Sequence, residues 1–252
     1  MDTAAYIHEI FSSIQGEGSF VGYRQIFLRL CECNLACHFC DTPESRERQE
    51  ACRVEMTAGA RDFQALPNPL SPDQVVEAVV RLAQQLPHHS LAVTGGEPLV
   101  QVEFLRQVLP ELRAHLHIFL ETNGTLSSAL ETVLSHLDFI AMDIKLPSAT
   151  QGEDYFAAHR EFLLTAKNSP ATVFVKIIVT AAATEAELQQ AFGLVAEIAP
   201  NIEVILQPVT PTGGEEPTIP TPQQLLHWQA LGLNCLKKVR VIPQTHKIIG
   251  QI

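Results

Sequence analysis

Basic residues are scarce in this chain: 17 Lys and Arg stand against 28 Asp and Glu, a formal net charge of −11. Nonspecific nucleic-acid binding needs a basic footprint, so that class of function is excluded. No segment reaches the ~18 uninterrupted apolar residues of a membrane span. The opening residues, Met1-Asp2-Thr3-Ala4-Ala5-Tyr6, lack a basic stretch followed by an apolar run, so no secretory signal is expected. A cytoplasmic protein with no membrane and no nucleic-acid partner follows as the expectation. Internal repeats, low-complexity tracts and a domain linker are also missing. The 252 residues, 46% of them hydrophobic, suffice for one large α/β domain or two small ones.

Cysteine is present but crowded. Of six, Cys31, Cys33, Cys37 and Cys40 fall within ten positions, and Cys52 and Cys235 are left over. A disulfide framework does not cluster this way; a reducing compartment and a metal site explain it better. Cys52 and Cys235 read as ordinary thiols. Cys33, Cys37 and Cys40 are spaced C-x3-C-x2-C. Three thiolates hold three irons of a [4Fe–4S] cube and leave the fourth iron open to a small molecule, whereas clusters held by four cysteines mostly carry electrons. A zinc site is the rival, with Cys31 or His38 as fourth ligand. Structural zinc usually takes two cysteine knuckles, and no second knuckle exists here. A zinc-binding interaction module is therefore the alternative from another class.

Strand-like and helix-like segments alternate along the chain. Short apolar runs at 25–30, 91–94, 116–121, 139–144, 172–180, 202–207 and 238–242 predict strands. Ser71-Pro72-Asp73-Gln74, Thr184-Glu185-Ala186-Glu187 and Thr221-Pro222-Gln223-Gln224 read as helix starts with capping boxes. Further helices are expected near 102–114, 126–136 and 153–166. This alternation predicts a mainly parallel sheet with outer helices. Six or seven β–α units suit a partial (β/α)6-type barrel, with chemistry at the C-terminal strand ends. The cysteine loop, Gly95-Gly96-Glu97-Pro98, Glu121-Thr122-Asn123-Gly124 and Asp143-Ile144-Lys145 all fall there. Residues 43–70 show no clean period and read as an insertion or flap in one domain spanning 1–252. Residues 208–222 read as a loop.

The cysteine loop after an early strand, followed by a strand ending in Gly95-Gly96-Glu97-Pro98, resembles the radical S-adenosylmethionine superfamily. A narrower resemblance rests on Ile14-Gln15-Gly16-Glu17-Gly18, Phe27-Leu28-Arg29-Leu30, Cys33-Asn34-Leu35, Cys40-Asp41-Thr42, Thr94-Gly95-Gly96-Glu97-Pro98 and Gln244-Thr245-His246-Lys247. Together these resemble the 7-carboxy-7-deazaguanine synthase family. The resemblance implies a radical enzyme of queuosine-type nucleoside biosynthesis. Its reaction would turn 6-carboxy-5,6,7,8-tetrahydropterin into 7-carboxy-7-deazaguanine with loss of ammonia. It implies a [4Fe–4S] cluster, S-adenosylmethionine and Mg²⁺ as cofactors. A reducing donor such as flavodoxin or ferredoxin and a homodimer are further expectations.

By the same resemblance Cys33, Cys37 and Cys40 ligate the cluster, and Thr42 offers its hydroxyl to Mg²⁺. Phe39, Asp41, Gly96, Glu97, Asp143, Lys145 and Gln207 meet S-adenosylmethionine. Ile14, Gln15, Gly16, Glu17, Arg29, Thr94 and His246 hold the pterin, whose edge of donors and acceptors suits Gln and Glu. Arg29 suits a substrate carboxylate. Plainer readings stand beside these. The Gln15–Gly18 stretch is also a turn between strands, Arg29 is also a paired core arginine, and Asp143 and Lys145 also make a structural ion pair. His246 and Lys247 either cap the fold or approach the substrate. His8, His159 and His227 read as structural or exposed. Cys31-Glu32 stands where relatives commonly carry a glycine, and Cys31 is a competing ligand in principle. The closest rival function is a glycyl-radical-enzyme activase, which shares the cysteine loop.

Overall fold

The computed structural model describes residues 3–37, 40–150, 152–210 and 218–251. Its strands are β1 Ile7–Ile14, β2 Arg24–Leu30, β3 Ala51–Glu55, β4 Phe63–Pro67, β5 Ser90–Gly95, β6 His117–Thr122, β7 Phe139–Ile144, β8 Thr172–Val179, β9 Glu203–Pro208 and β10 Val239–Val241. The helices are α1 Pro72–Gln85, α2 Val102–Leu112, α3 Ser127–Val133, α4 Phe156–Lys167, α5 Glu185–Ile198, α6 Pro222–Leu233 and α7 Thr245–Ile248. One sheet takes all the strands in the order β10-β9-β8-β7-β6-β5-β2-β1-β3-β4. From β2 through β10 every neighbouring pair is parallel. Helices α2 to α6 each lie between successive parallel strands in the chain, as such crossovers require. This is the partial barrel that the alternation predicts.

Three helix starts bear out their sequence signals. Ser71, Thr184 and Thr221 each accept a hydrogen bond from the third helical N–H, and Gln74, Glu187 and Gln224 reach back to the cap N–H. Each box satisfies two otherwise orphaned donors. No helix among the described residues is long and apolar enough to cross a membrane.

Two apolar layers divide the sheet's faces. The larger lies between sheet and helices, with Leu28, Val93, Leu120, Ile140, Val175 and Leu206 among its strand residues. The smaller lines the inside of the curl: Phe11, Phe27, Ala92, Phe119, Ala141, Phe174, Ile205 and Ile242. The 3-10 turn Gly18–Phe20, which follows β1, touches β8 and β9 far along the sheet. Phe20 packs among Phe119, Phe139 and Phe174, with ring centroids 4.7–6.0 Å away. Aromatic rings thus plug one end of the curl.

The stretch 43–70 differs from its expectation. Its alternation is weak because β3 and β4 form an antiparallel hairpin at the sheet's edge, with β3 parallel to β1. Of this stretch only Glu44 and Arg46 reach the cavity described below, so the hairpin widens the sheet and does not roof the site. Of the loop expected over 208–222, residues 211–217 lie outside the described residues.

Candidate active site

Side chains alternate along a strand, so the residue two places beyond an inward one also points inward. Two places beyond Phe27, Ala92, Phe119, Ala141, Phe174 and Ile205 stand Arg29, Thr94, Glu121, Asp143, Lys176 and Gln207. All six line one cavity of about 410 Å³ at the C-terminal strand ends. An aromatic floor therefore carries a ring of polar groups, one from each of β2, β5, β6, β7, β8 and β9. The next inward positions, Gly96, Asn123, Lys145, Ile178 and Val209, form its upper wall.

One end of the cavity is densely bonded. Gln15 Nε2 donates to Gln25 Oε1 at 2.8 Å and to Glu121 Oε1 at 2.7 Å. Gln15 Oε1 accepts the Glu17 N–H at 2.9 Å, and Thr94 Oγ1 donates to Glu121 Oε2 at 3.0 Å. Lys176 Nζ lies 2.6 Å from Glu17 and 3.4 Å from Asp143. Burial alone would raise the Glu17 carboxyl; Lys176 and a hydrogen bond from Gln244 outweigh it and hold the group well below its ordinary range. Burial likewise opposes the charge on Lys176, but Asp143, Glu17 and Glu121 keep the ammonium charged. Burial pushes Glu121 up. Arg29 Nε donates to Glu9 at 3.0 Å, and Glu9 also meets Arg53 at 3.4 Å. Among the described residues the Nη groups of Arg29 bond to no protein atom, so the residue is paired on one side and open to the cavity on the other. Ile14 and Gly16 complete this wall.

The other end holds the cysteines. Cys33, Cys37 and Cys40 are free, half-buried and on the cavity wall. Cys33 Sγ accepts the Leu35 N–H at 3.4 Å. Burial raises the Cys33 and Cys37 thiols, and the nearby Lys145 ammonium works against this at Cys37. Among the described residues the three sulfurs do not gather within the 4.8 Å expected around a single ion. A polynuclear cluster binds each thiolate at a different metal corner, and three separated thiols on one wall are compatible with that. Gln207 is 1% exposed, and its Oε1 has no partner among the described residues. A buried amide oxygen without a partner is rare and marks a place for a ligand. Lys145 Nζ donates to Asp143 Oδ2 at 2.7 Å, so the ion-pair reading of these two holds and both still line the cavity. Phe39 and His38 lie outside the described residues.

Two expectations need correction. The Glu97 side chain does not face the cavity: it is fully buried and saturated. Its carboxylate accepts from Leu99 N–H at 3.1 Å, Thr122 Oγ1 at 2.9 Å and Asn123 N–H at 2.7 Å. Burial lifts it to about 7. It braces the end of β5 to the end of β6 and leaves the rim to Gly96. Cys31 is the second. It is fully buried and absent from the cavity wall, so it is no rival ligand. The glycines before Glu97 have a further reason to be there. A Cβ on Gly95 would sit 2.1 Å from Leu30 O, and one on Gly96 2.2 Å from Glu32 O. Their bareness lets β5 meet the start of the cysteine loop. Glu32 itself has φ +72, a left-handed position that glycine takes without strain.

The C-terminal segment closes one side. Thr245 N–H donates to Gly16 O at 2.9 Å, and Gln244, His246, Lys247 and Gln251 line the cavity. Lys247 Nζ lies 3.2 Å from Asp41. Ligand atoms of Glu17, Asp41 and His246 fall within 4.8 Å of one another, but Lys176 and Gln244 already supply hydrogens to the two carboxylates, and Lys247 pairs its charge with Asp41. Thr42 stands on the cavity wall with Asp41 and Glu44.

The radical SAM superfamily model matches residues 30–161, from the end of β2 through the first half of α4. The 7-carboxy-7-deazaguanine synthase of Geobacter sulfurreducens is 43% identical over 250 residues, 98% of both chains. The chain belongs to the 7-carboxy-7-deazaguanine synthase family, within the radical SAM superfamily. The Methanopyrus kandleri member is 32% identical over 98% of this chain and 94% of its own. The crystal structure of QueE from Escherichia coli aligns with a TM-score of 0.58 at 18% identity, covering 96% of this chain and 94% of that one, which shows the shared fold.

The sequence left several cavity residues without an assigned role: Glu121, Lys176, Asn123 and Gln244. The period-two rule reaches the first two, since each lies two places beyond an inward phenylalanine. Gln244 lay within a quoted motif but had no assigned role. His8, read as structural, also lines the cavity; burial lowers its pKa.

Proposed function

We propose that this chain converts 6-carboxy-5,6,7,8-tetrahydropterin to 7-carboxy-7-deazaguanine with release of ammonia. The observation that carries the reading is the division of one cavity into a thiol end and a polar, hydrogen-bonded end, in a chain 43% identical to a synthase of that name. Cys33, Cys37 and Cys40 would hold a [4Fe–4S] cluster. Gly96, Asp41, Asp143, Lys145 and Gln207 would seat S-adenosylmethionine beside it, and Phe39 would meet its adenine. When bound, this pair supplies one-electron chemistry that removes a hydrogen atom from the substrate.

The chain's own residues then bind and orient. Arg29 directs its open guanidinium face at the substrate carboxylate. Glu17, held anionic by Lys176, accepts from N–H groups of the pterin ring, and Gln15 and Thr94 set the ring's edge. Glu121 shares those hydrogen bonds and belongs to the same set. Ile14 and Gly16 bound the ring, and His246 closes over it from the C-terminal side. Thr42 would contribute a hydroxyl to Mg²⁺ shared with the substrate carboxylate. The aromatic floor at Phe27, Phe119 and Phe174 keeps water from below, which protects a reactive site. A flavodoxin- or ferredoxin-type donor and a homodimer complete the reading.

The test is anaerobic incubation of cluster-loaded protein with the tetrahydropterin, S-adenosylmethionine, reductant and Mg²⁺, followed by mass detection. The deazaguanine should form without net consumption of S-adenosylmethionine, and Cys37→Ala should abolish it. Consumption of S-adenosylmethionine with no pterin product would favour an activase. Zinc without iron or sulfide would favour a binding module.

A further inference from the structure

Gln244 is 7% exposed and sits where the C-terminal segment enters the cavity wall. Its Nε2 donates to Glu17 Oε1 at 2.7 Å and to Asp41 Oδ2 at 2.7 Å. An amide nitrogen has two hydrogens, and here each goes to a different carboxylate. Glu17 follows β1 at the densely bonded end. Asp41 directly follows the last cysteine of the loop. Lys176 holds the other oxygen of Glu17 at 2.6 Å, and Lys247 approaches Asp41 at 3.2 Å. Gln244 is thus the one described side chain that hydrogen-bonds both Glu17 and Asp41.

We propose that Gln244 is a positioning residue that couples the two ends of the cavity: a ligand that fixes Glu17 also fixes Asp41, and the reverse. The inference rests on the reading above, in which Glu17 faces the pterin and Asp41 the S-adenosylmethionine side. Both hydrogen bonds go to charged acceptors and are of the stronger kind. The segment that carries Gln244 is anchored independently. Thr245 N–H is bound to Gly16 O, Ser13 Oγ donates to Gln251 Oε1 at 3.2 Å, and Arg61 Nη2 donates to Gly250 O at 2.5 Å. Loss of the amide alone therefore leaves the segment in place and removes the link.

Coupling is reciprocal, so it is read as a ratio of affinities. The experiment measures S-adenosylmethionine binding to cluster-loaded, unreduced protein by calorimetry, with and without saturating 6-carboxytetrahydropterin, where no turnover occurs. In the wild type the pterin should tighten S-adenosylmethionine about fivefold or more, within the usual range for coupled sites. Gln244→Met keeps the volume and removes both donors; its ratio should fall to about 1. Gln244→Glu, which sets a third carboxylate between two, should reverse the sign. A merely structural residue would weaken both affinities and leave the ratio intact. A wild type that binds both ligands without coupling, or a Gln244→Met protein that keeps it, overturns the proposal. A wild type that does not bind the pterin at all overturns the functional reading instead.

Discussion

The two ends of the cavity are built differently. At the β1–β8 end Gln15, Glu17, Glu121, Thr94 and Lys176 are joined by hydrogen bonds and ion pairs with no ligand present. At the cysteine end, among the described residues, one backbone N–H reaches Cys33, and the Gln207 oxygen has no partner. Both ends stand on the same strands, so the fold does not impose the difference. A site that recognises a flat polar ring gains from dipoles fixed in advance, because binding then costs little ordering. A site completed by a cluster and a cofactor leaves its polar atoms waiting for them. The closed end should therefore carry folding stability of its own, and the open end should carry very little.

Lys176 gives the largest contrast. It is 4% exposed and faces Glu17, Asp143 and Glu121. Lys176→Met keeps the volume and leaves these carboxylates facing one another. Removing one partner of a buried ion pair costs about 3–5 kcal/mol. Urea unfolding of the ligand-free variant should show that loss at neutral pH and less in acid, where the carboxylates protonate. A loss under about 1 kcal/mol would mean the closed end is no more finished than the open one.

His159 lies at the boundary, and its effect is smaller and depends on pH. Its Nε2 accepts the Lys145 N–H at 3.0 Å, and its other nitrogen meets Gly124 O at 3.0 Å. That pattern needs a neutral ring with the proton on Nδ1. Burial lowers its pKa from 6.5 to about 4. The unfolded chain therefore binds a proton between pH 6.5 and 4 that the folded protein refuses. The stability is present above pH 6.5 and is lost as pH falls through that window, by roughly 3 kcal/mol for this group. His159→Gln should have a flatter melting-temperature profile between pH 6.5 and 4. An unchanged slope would locate the acid sensitivity elsewhere.

The same contrast governs what could be read from the sequence. The parallel sheet, its helices and the capping boxes were legible because periodicity and cap residues act locally. The cysteine loop and the Gly-Gly-Glu-Pro turn were legible as motifs. The role of Glu97 was not: a carboxylate that accepts from Thr122 and two backbone N–H groups looks, in sequence, like one that faces a ligand. Lys176 was hidden inside a Val- and Ile-rich strand, and only the inward Phe174 two places before it gives the direction away. The role of Gln244 could not be read from its motif, since its partners Glu17 and Asp41 lie more than 200 positions away. The hairpin β3–β4 was missed because one of its faces has little to bury: Arg53, Ala65 and Pro67 are exposed.

Gln207 sharpens the comparison with the smallest effect on folding. Its side chain is enclosed and its Oε1 unsatisfied, and such an oxygen costs the ligand-free protein about 1–3 kcal/mol of desolvation. Gln207→Leu is close in volume and removes the orphan atom. The ligand-free variant should unfold within about 1 kcal/mol of the wild type, or somewhat later. Cluster-loaded protein should show the opposite, with S-adenosylmethionine bound about tenfold more weakly, the equivalent of one charge-free hydrogen bond lost in a closed site. Lys176→Met and Gln207→Leu would then separate cleanly, one costing the fold and the other costing the ligand. If Gln207→Leu instead destabilised the ligand-free protein by as much as Lys176→Met, the cysteine end would be a finished structure, and the amide oxygen would have a partner in solution that supports the fold.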